Sequence, residues 1–141
     1  MIKVVLDTNI VISALIKADS DPALILALIF EGQIRLCLTE DIFIEYEGVL
    51  SREKFQRLDQ DSVKKALSGL KKMSRWAVPS TPVDVLKIDP DDNKFLQCAS
   101  EAKADYLITG NKKHFPMAHY GVTKILSPRD FIYLVVKEIF D

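Results

Sequence analysis

Along this chain, short blocks of β-branched apolar residues alternate with longer stretches whose apolar positions recur every three or four residues. Residues 2–6, Ile-Lys-Val-Val-Leu, are a near-continuous apolar run, as a strand buried on both faces of a parallel sheet requires. Asp7, Thr8 and Asn9 then offer capping side chains, and a helix is predicted over 10–17. Asp19, Ser20 and Asp21 break it; Pro22 suits the first position of a second helix over 23–31, which Gly32 stops. A second strand is read at 33–38. Thr39 caps the helix after it, with Glu40 and Asp41 in the first turn, where the helix dipole favours acids. A charged segment over 51–60 leads to a helix over 61–75. A short strand is read at 76–78, a loop at 79–82, and an extended or irregular run at 83–88. Asp89-Pro90-Asp91-Asp92 opens a helix reaching Lys103, with Asp89 as its cap. Strands at 106–109 and 124–126 and a helix over 128–139 complete the chain. This alternation predicts one domain over 1–141, a three-layer α/β/α architecture with a mostly parallel sheet of four to five strands. Right-handed crossovers bring the carboxyl ends of its strands to one edge, where ligand sites lie in such sheets.

Composition narrows the class. The 141 residues are 48% apolar, enough for a full core, and the net charge is -1. Bulk attraction to nucleic acid is therefore absent, and local patches would have to supply it. The basic groups Arg52, Lys54 and Arg57; Lys64 and Lys65; Lys71, Lys72 and Arg75; and Lys112 and Lys113 are such patches or simply solvated faces. Cys37 and Cys98 sit inside apolar segments without metal-ligand spacing, as buried small hydrophobes of a protein in a reducing cytoplasm. No signal-peptide pattern is read, and the apolar run 23–30 is too short to span a bilayer.

The chemistry lies in carboxylates placed at the edges of apolar elements. Asp7 closes the first strand, either as a helix cap or as a ligand on the functional edge. Glu45 falls beside the stripe of Ile42, Tyr46 and Val49, so it either faces inward and needs a partner or reaches sideways to solvent or to a Lys or Arg. Asp91 and Asp92 read as helix-start acids, yet Phe95, Leu96, Ala99 and Ala102 bury one side of their helix and hold Asp92 near the strand edge. The segment from Thr109 to His114 lands on the same edge. There Asn111 is a turn residue or an oxygen donor, and His114 a surface residue or a ligand. Five isolated glycines make no phosphate loop, and no Cys–His pair or nucleophile elbow is present. An acidic pocket of this kind suits Mg²⁺ or Mn²⁺. An aspartyl-phosphate phosphatase would want an acid at position 9, which is Asn, and a receiver domain would want paired acids at the end of the first strand.

At these residues the chain resembles the PIN-domain ribonucleases. Val5-Leu6-Asp7-Thr8-Asn9-Ile10 is similar to their opening motif, and the stretch from Leu38 through Glu45 to Leu50 to their second segment. Asp89-Pro90-Asp91-Asp92-Asn93-Lys94-Phe95-Leu96, followed by Ala104-Asp105-Tyr106-Leu107-Ile108-Thr109-Gly110, is similar to the third and fourth. Ile125-Leu126-Ser127-Pro128 with Phe131 resembles the ending of a bacterial and archaeal branch of toxins from toxin–antitoxin pairs. The resemblance covers nearly the whole chain, and the ordered set of motifs is specific.

The resemblance implies a PIN-like, Rossmann-like fold and a Mg²⁺- or Mn²⁺-dependent endoribonuclease. Its partners would be an RNA substrate, an antitoxin protein and a second copy of the chain. By position, Asp7, Glu45 and Asp92 match the catalytic metal-binding acids, with Asp7 central. Thr8 and Asn9 would support Asp7 or meet the substrate, Asp91 would be an outer member, and Lys112, Lys113, His114 and Lys94 would lie near the RNA backbone. The chain departs from the pattern at the fourth acid: Asn111 stands where relatives often have aspartate, and His114 where others have it. Asn111 can ligate through its carbonyl but brings no charge, which leaves fewer carboxylates for a second metal. The alternative is a PIN-fold binding module with weak or lost catalysis. The apolar helix over 23–30 is the candidate homodimer face.

Overall fold

Strand β1 (Lys3–Leu6) is the centre of the sheet, and its last three residues are fully buried. A computed structural model describes residues 1–80, 82–86 and 89–140, with side chains to 138. After β1 come α1 (Thr8–Ile16), α2 (Asp21–Phe30), β2 (Arg35–Leu38) and α3 (Glu40–Leu50). A 3₁₀ turn (Glu53–Phe55) leads to α4 (Gln60–Met73) and β3 (Arg75–Trp76). A second 3₁₀ turn (Pro90–Asp92) precedes α5 (Asn93–Ala102) and β4 (Tyr106–Ile108). β5 (His119–Tyr120), β6 (Thr123–Leu126) and a terminal helical stretch follow. That stretch is α6 (Pro128–Phe131), a π-helical segment (Ile132–Val136) and α7 (Lys137–Phe140).

Among the described residues the sheet has six strands in the order β3-β2-β1-β4-β6-β5. All pairings are parallel except β5 with β6. The α/β class and the mostly parallel sheet agree with the pattern of the sequence. The sixth strand is β5, which the apolar pattern misses because it has two residues. It folds back on β6 through Gly121, whose φ of 58° is the left-handed value a two-residue hairpin turn demands. The short strand read at 76–78 begins one residue earlier, at Arg75. The loop read at 79–82 and the run read at 83–88 are described except for Thr81, Lys87 and Ile88, which lie outside the described residues.

Two hydroxyls cap helices, Thr39 as its sequence position suggests and Ser20 one residue before the expected start of α2. Ser20 and Thr39 accept hydrogen bonds from the backbone N–H groups of Ala23 and Ile42, at 3.2 and 3.3 Å. The apolar character of α2 is largely used within the chain. Ile25, Leu26, Leu28 and Ile29 are buried in the main core. Phe30 lies against α4 at Gly69, where an added Cβ would come within 2.9 Å of the ring. Of its larger apolar side chains, Leu24 and Phe30 stay exposed, at 44% and 37%.

Register places the functional edge. Leu6 pairs with Ile108, and Ile108 with Leu126, so β1, β4 and β6 end level. The next residues continue the ladder: Asp7 N–H donates to the Ile108 carbonyl, and Thr109 N–H to the Leu126 carbonyl, each at 3.0 Å. Asp7 and Thr109 therefore stand side by side at the carboxyl ends of two central strands.

Candidate metal centre

Asp7 is buried, with 6% of its surface exposed, and its side chain caps no helix although it sits at the N-cap position of α1. One carboxylate oxygen accepts instead from the Thr109 hydroxyl, at 2.8 Å. The same hydroxyl accepts from the backbone N–H of Asn111, at 3.0 Å, which ties the loop after β4 to Asp7. Burial raises the Asp7 pKa above its ordinary value; the Thr109 bond opposes this, and the negative charge of Glu45 adds to it.

α3 brings Glu45 to this edge. The residue after it, Tyr46, is fully buried and donates its hydroxyl to the Leu6 carbonyl at 2.6 Å, pinning the helix to the end of β1. Glu45 is half-buried, and its partners combine both readings: a hydroxyl at the sheet edge and, sideways, a lysine. It accepts a short hydrogen bond from the Thr8 hydroxyl and an ion pair from Lys94 Nζ at 2.5 Å. The Thr8 hydroxyl thus goes to Glu45 and not to Asp7, and Lys94 of α5 holds Glu45 from the other side.

Asp92 ends the 3₁₀ turn that leads into α5. Its carboxylate meets His114 Nδ1 at 2.8 Å. Burial raises its pKa, the hydrogen bond from His114 opposes this, and the charges of Asp7 and Asp89 raise it further. Asp7 thus feels Glu45, and Asp92 feels Asp7: acids from three separate elements share one electrostatic neighbourhood.

Asp89 caps the turn as expected, accepting from the Asp91 N–H at 3.2 Å. It also does more than the sequence suggested. Asp89, Asp92 and His114 each offer a ligand atom, all within 4.8 Å of one another. Among the described residues Asp7 and Glu45 form no group of that closeness with Asp92. Asp91 and Asn9 are exposed. Asn111 is half-buried, and its carbonyl accepts the His114 N–H at 3.1 Å. Lys112 is spent on structure: its ammonium donates to the carbonyls of Met117 and Ile125, at 3.3 Å each. Lys113 is exposed.

Sequence reasoning did not single out Thr109 as the partner of Asp7, nor the hydroxyl of Tyr46 as an anchor. Their signal is positional: a threonine directly after β4, and a tyrosine beside the inward glutamate. Asn93 was also passed over as a structural residue. It is buried and binds the Val85 and Leu86 N–H groups and the Leu86 and Pro90 carbonyls, fixing the chain that enters the acidic turn.

Comparison with known proteins agrees with this architecture. The family model described as PIN domain matches residues 3–113. The chain belongs to the PIN domain family. An uncharacterized protein of Methanocaldococcus jannaschii is 38% identical over 113 residues, covering 79% of this chain and 72% of that protein. Among solved structures, a chain from VapBC2 of Rickettsia felis, bound to a DNA fragment from their promoter, superposes with a TM-score of 0.58. It is 14% identical, and the match covers 89% of this chain and 98% of that one, a likeness of fold.

Proposed function

We propose that this chain is a divalent-metal-dependent endoribonuclease that hydrolyses RNA phosphodiester bonds, and the toxin of a toxin–antitoxin pair. The observation that carries the proposal is that Asp7, Glu45 and Asp92, from three separate elements, share one electrostatic neighbourhood at the sheet edge, where burial and neighbouring negative charge raise the pKa values of Asp7 and Asp92. Such a donor set fits Mg²⁺ or Mn²⁺: hard carboxylate oxygens, with the Asn111 side-chain carbonyl or His114 available at the fourth corner. When bound, the cation supplies neutralisation of the attacked phosphate and an acidified water.

In this reading Asp7 is the central ligand, oriented by Thr109. Thr8 and His114 orient Glu45 and Asp92. Asp89, close to Asp92 and His114, is an additional acid at the rim, with Asp91 outside it. Asn9 and Lys113, both exposed, are placed to meet RNA, whereas Lys112 holds the loop after β4. Residues 1–141 act as one domain in the cytoplasm, as a homodimer partnered by an antitoxin. The shared fold with a chain of VapBC2 supports that partnership. No described helix is long and apolar enough to cross a membrane.

One observation favours the second reading, a PIN-fold binding module. Lys94 already neutralises Glu45, and with asparagine at position 111 the centre holds less free negative charge. A single comparison separates the two. Wild type and Asp7→Asn are incubated with several RNAs and Mn²⁺ or Mg²⁺. The nuclease reading expects cleavage by wild type that falls to background in the variant. Equal cleavage by both proteins sinks it. RNA binding with neither cleavage nor Mn²⁺ affinity establishes the module instead.

A further inference from the structure

Beside the acidic centre runs a cleft that the motifs do not account for. Asn9, Ile12, Ser13 and Ile16 form one of its walls; they lie at i, i+3, i+4 and i+7 on a single face of α1. The opposite wall comes from the 3₁₀ turn after α3 and the residues beyond it: Lys54, Phe55, Arg57 and Leu58. This open cleft has a volume of about 460 Å³, within the size of sites that take small organic groups.

Two properties of this cleft point the same way. Its floor is apolar: Ile12 is buried in a small cluster against which Phe55 and Leu58 pack, and Ile16 is 53% exposed. Its rim is cationic. Lys54 and Arg57 are both exposed, neither makes an ion pair among the described residues, and no acid lines the cleft. Lys54 Nζ lies 5.1 Å from the centroid of the Phe55 ring, so charge and aromatic surface are presented together. The cleft also starts at the candidate centre. Asn9 is two residues beyond Asp7, and the face continues along α1 for about 10 Å at about 1.5 Å per residue.

Unpaired cations above an apolar floor suit a ligand with spaced negative charges and flat apolar rings, which describes a single-stranded nucleic acid. We infer that this cleft seats the RNA strand flanking the scissile bond, with a base on the floor at Phe55 and Ile16 and backbone phosphates on Lys54 and Arg57. That the strand is RNA rests on the nuclease reading above; the cleft itself stands on its own geometry. A paired duplex is disfavoured, because stacked bases cannot reach the floor. The cleft also lets a chain with a net charge of -1 hold a polyanion locally.

The test is fluorescence anisotropy in EDTA with a labelled single-stranded RNA oligonucleotide and the duplex of the same sequence, for wild type, the double variant K54A/R57A and Asp7→Asn. Both substituted cations are exposed, and unchanged thermal melting checks that the variant folds. Expected is a preference of wild type for the single strand. The double variant should bind it about tenfold or more weakly, with a salt dependence shallower by about 1.4, about 0.7 for each lost phosphate contact. Unchanged affinity and slope in the double variant overturn the proposal, as does equal binding of the duplex or the absence of RNA binding by wild type. Asp7→Asn should lose cleavage in Mn²⁺ yet keep its affinity. Binding that depends on Lys54 and Arg57 in a protein that never cleaves would overturn the nuclease reading and leave the cleft intact.

Discussion

At the scale of single residues, Asp7 is under tension in the metal-free protein. It is buried, its proton is held more tightly than in the unfolded chain, and the causes in order are burial and the charge of Glu45, partly opposed by Thr109. A carboxyl with a raised folded pKa contributes stability that is complete below its ordinary value of 3.8 and is lost as pH rises through the folded value. Asp92 shifts in the same direction, so both acids weaken the metal-free fold at neutral pH. Asp7→Asn removes one of these charges and keeps an oxygen for Thr109. Its melting temperature without divalent cations should exceed that of wild type at pH 7, and the gap should close as pH falls toward 4. Thermal melts in EDTA across that range measure it. A variant that melts lower at pH 7 would mean that the Asp7 charge is stabilising. Saturating Mn²⁺ should raise the melting temperature of wild type, by about 2.7 kcal/mol of stabilisation at one hundred times the dissociation constant, and leave the variant nearly unmoved.

Elements set which acids can meet. Asp7 is fixed by β1, Asp92 by the turn into α5, and Glu45 by the hydroxyl of Tyr46 on the Leu6 carbonyl. Tyr46→Phe leaves that buried carbonyl without its side-chain donor and loosens α3 where it carries Glu45. The expected cost is about 1–2 kcal/mol, read from urea unfolding with an unchanged slope. A cost near zero would show that α3 is held by packing alone. Much at this scale was legible in the sequence. The run at 2–6, the cap at Thr39, and the place of Glu45 beside an apolar stripe came from spacing and side-chain chemistry. The partners did not. That Glu45 faces Lys94, or Asp92 faces His114, depends on crossings between elements far apart in the chain, which periodicity cannot supply. The two-residue strand β5 escaped for the opposite reason: it is too short to show a period.

For the molecule as a whole, the apolar α2 was the reason to expect a dimer, yet most of its apolar surface is buried against the chain's own core. What remains of it for a partner is Leu24 and Phe30. Light scattering at micromolar concentration should give the mass of two chains, and Leu24→Glu should reduce it to one. A wild-type monomer would count against the dimer and leave the acidic centre untouched. The order of the sheet carries a further consequence. Among the described residues its outermost strands, β3 and β5, have two residues each; β1 is enclosed between β2 and β4, and β3 covers β2 at Cys37 and Leu38. A strand that short offers almost no open ladder for another chain to extend. Another chain adding to β3 or β5 would therefore gain two residues of pairing at most, and a ladder along the whole of β2 would require β3 to detach.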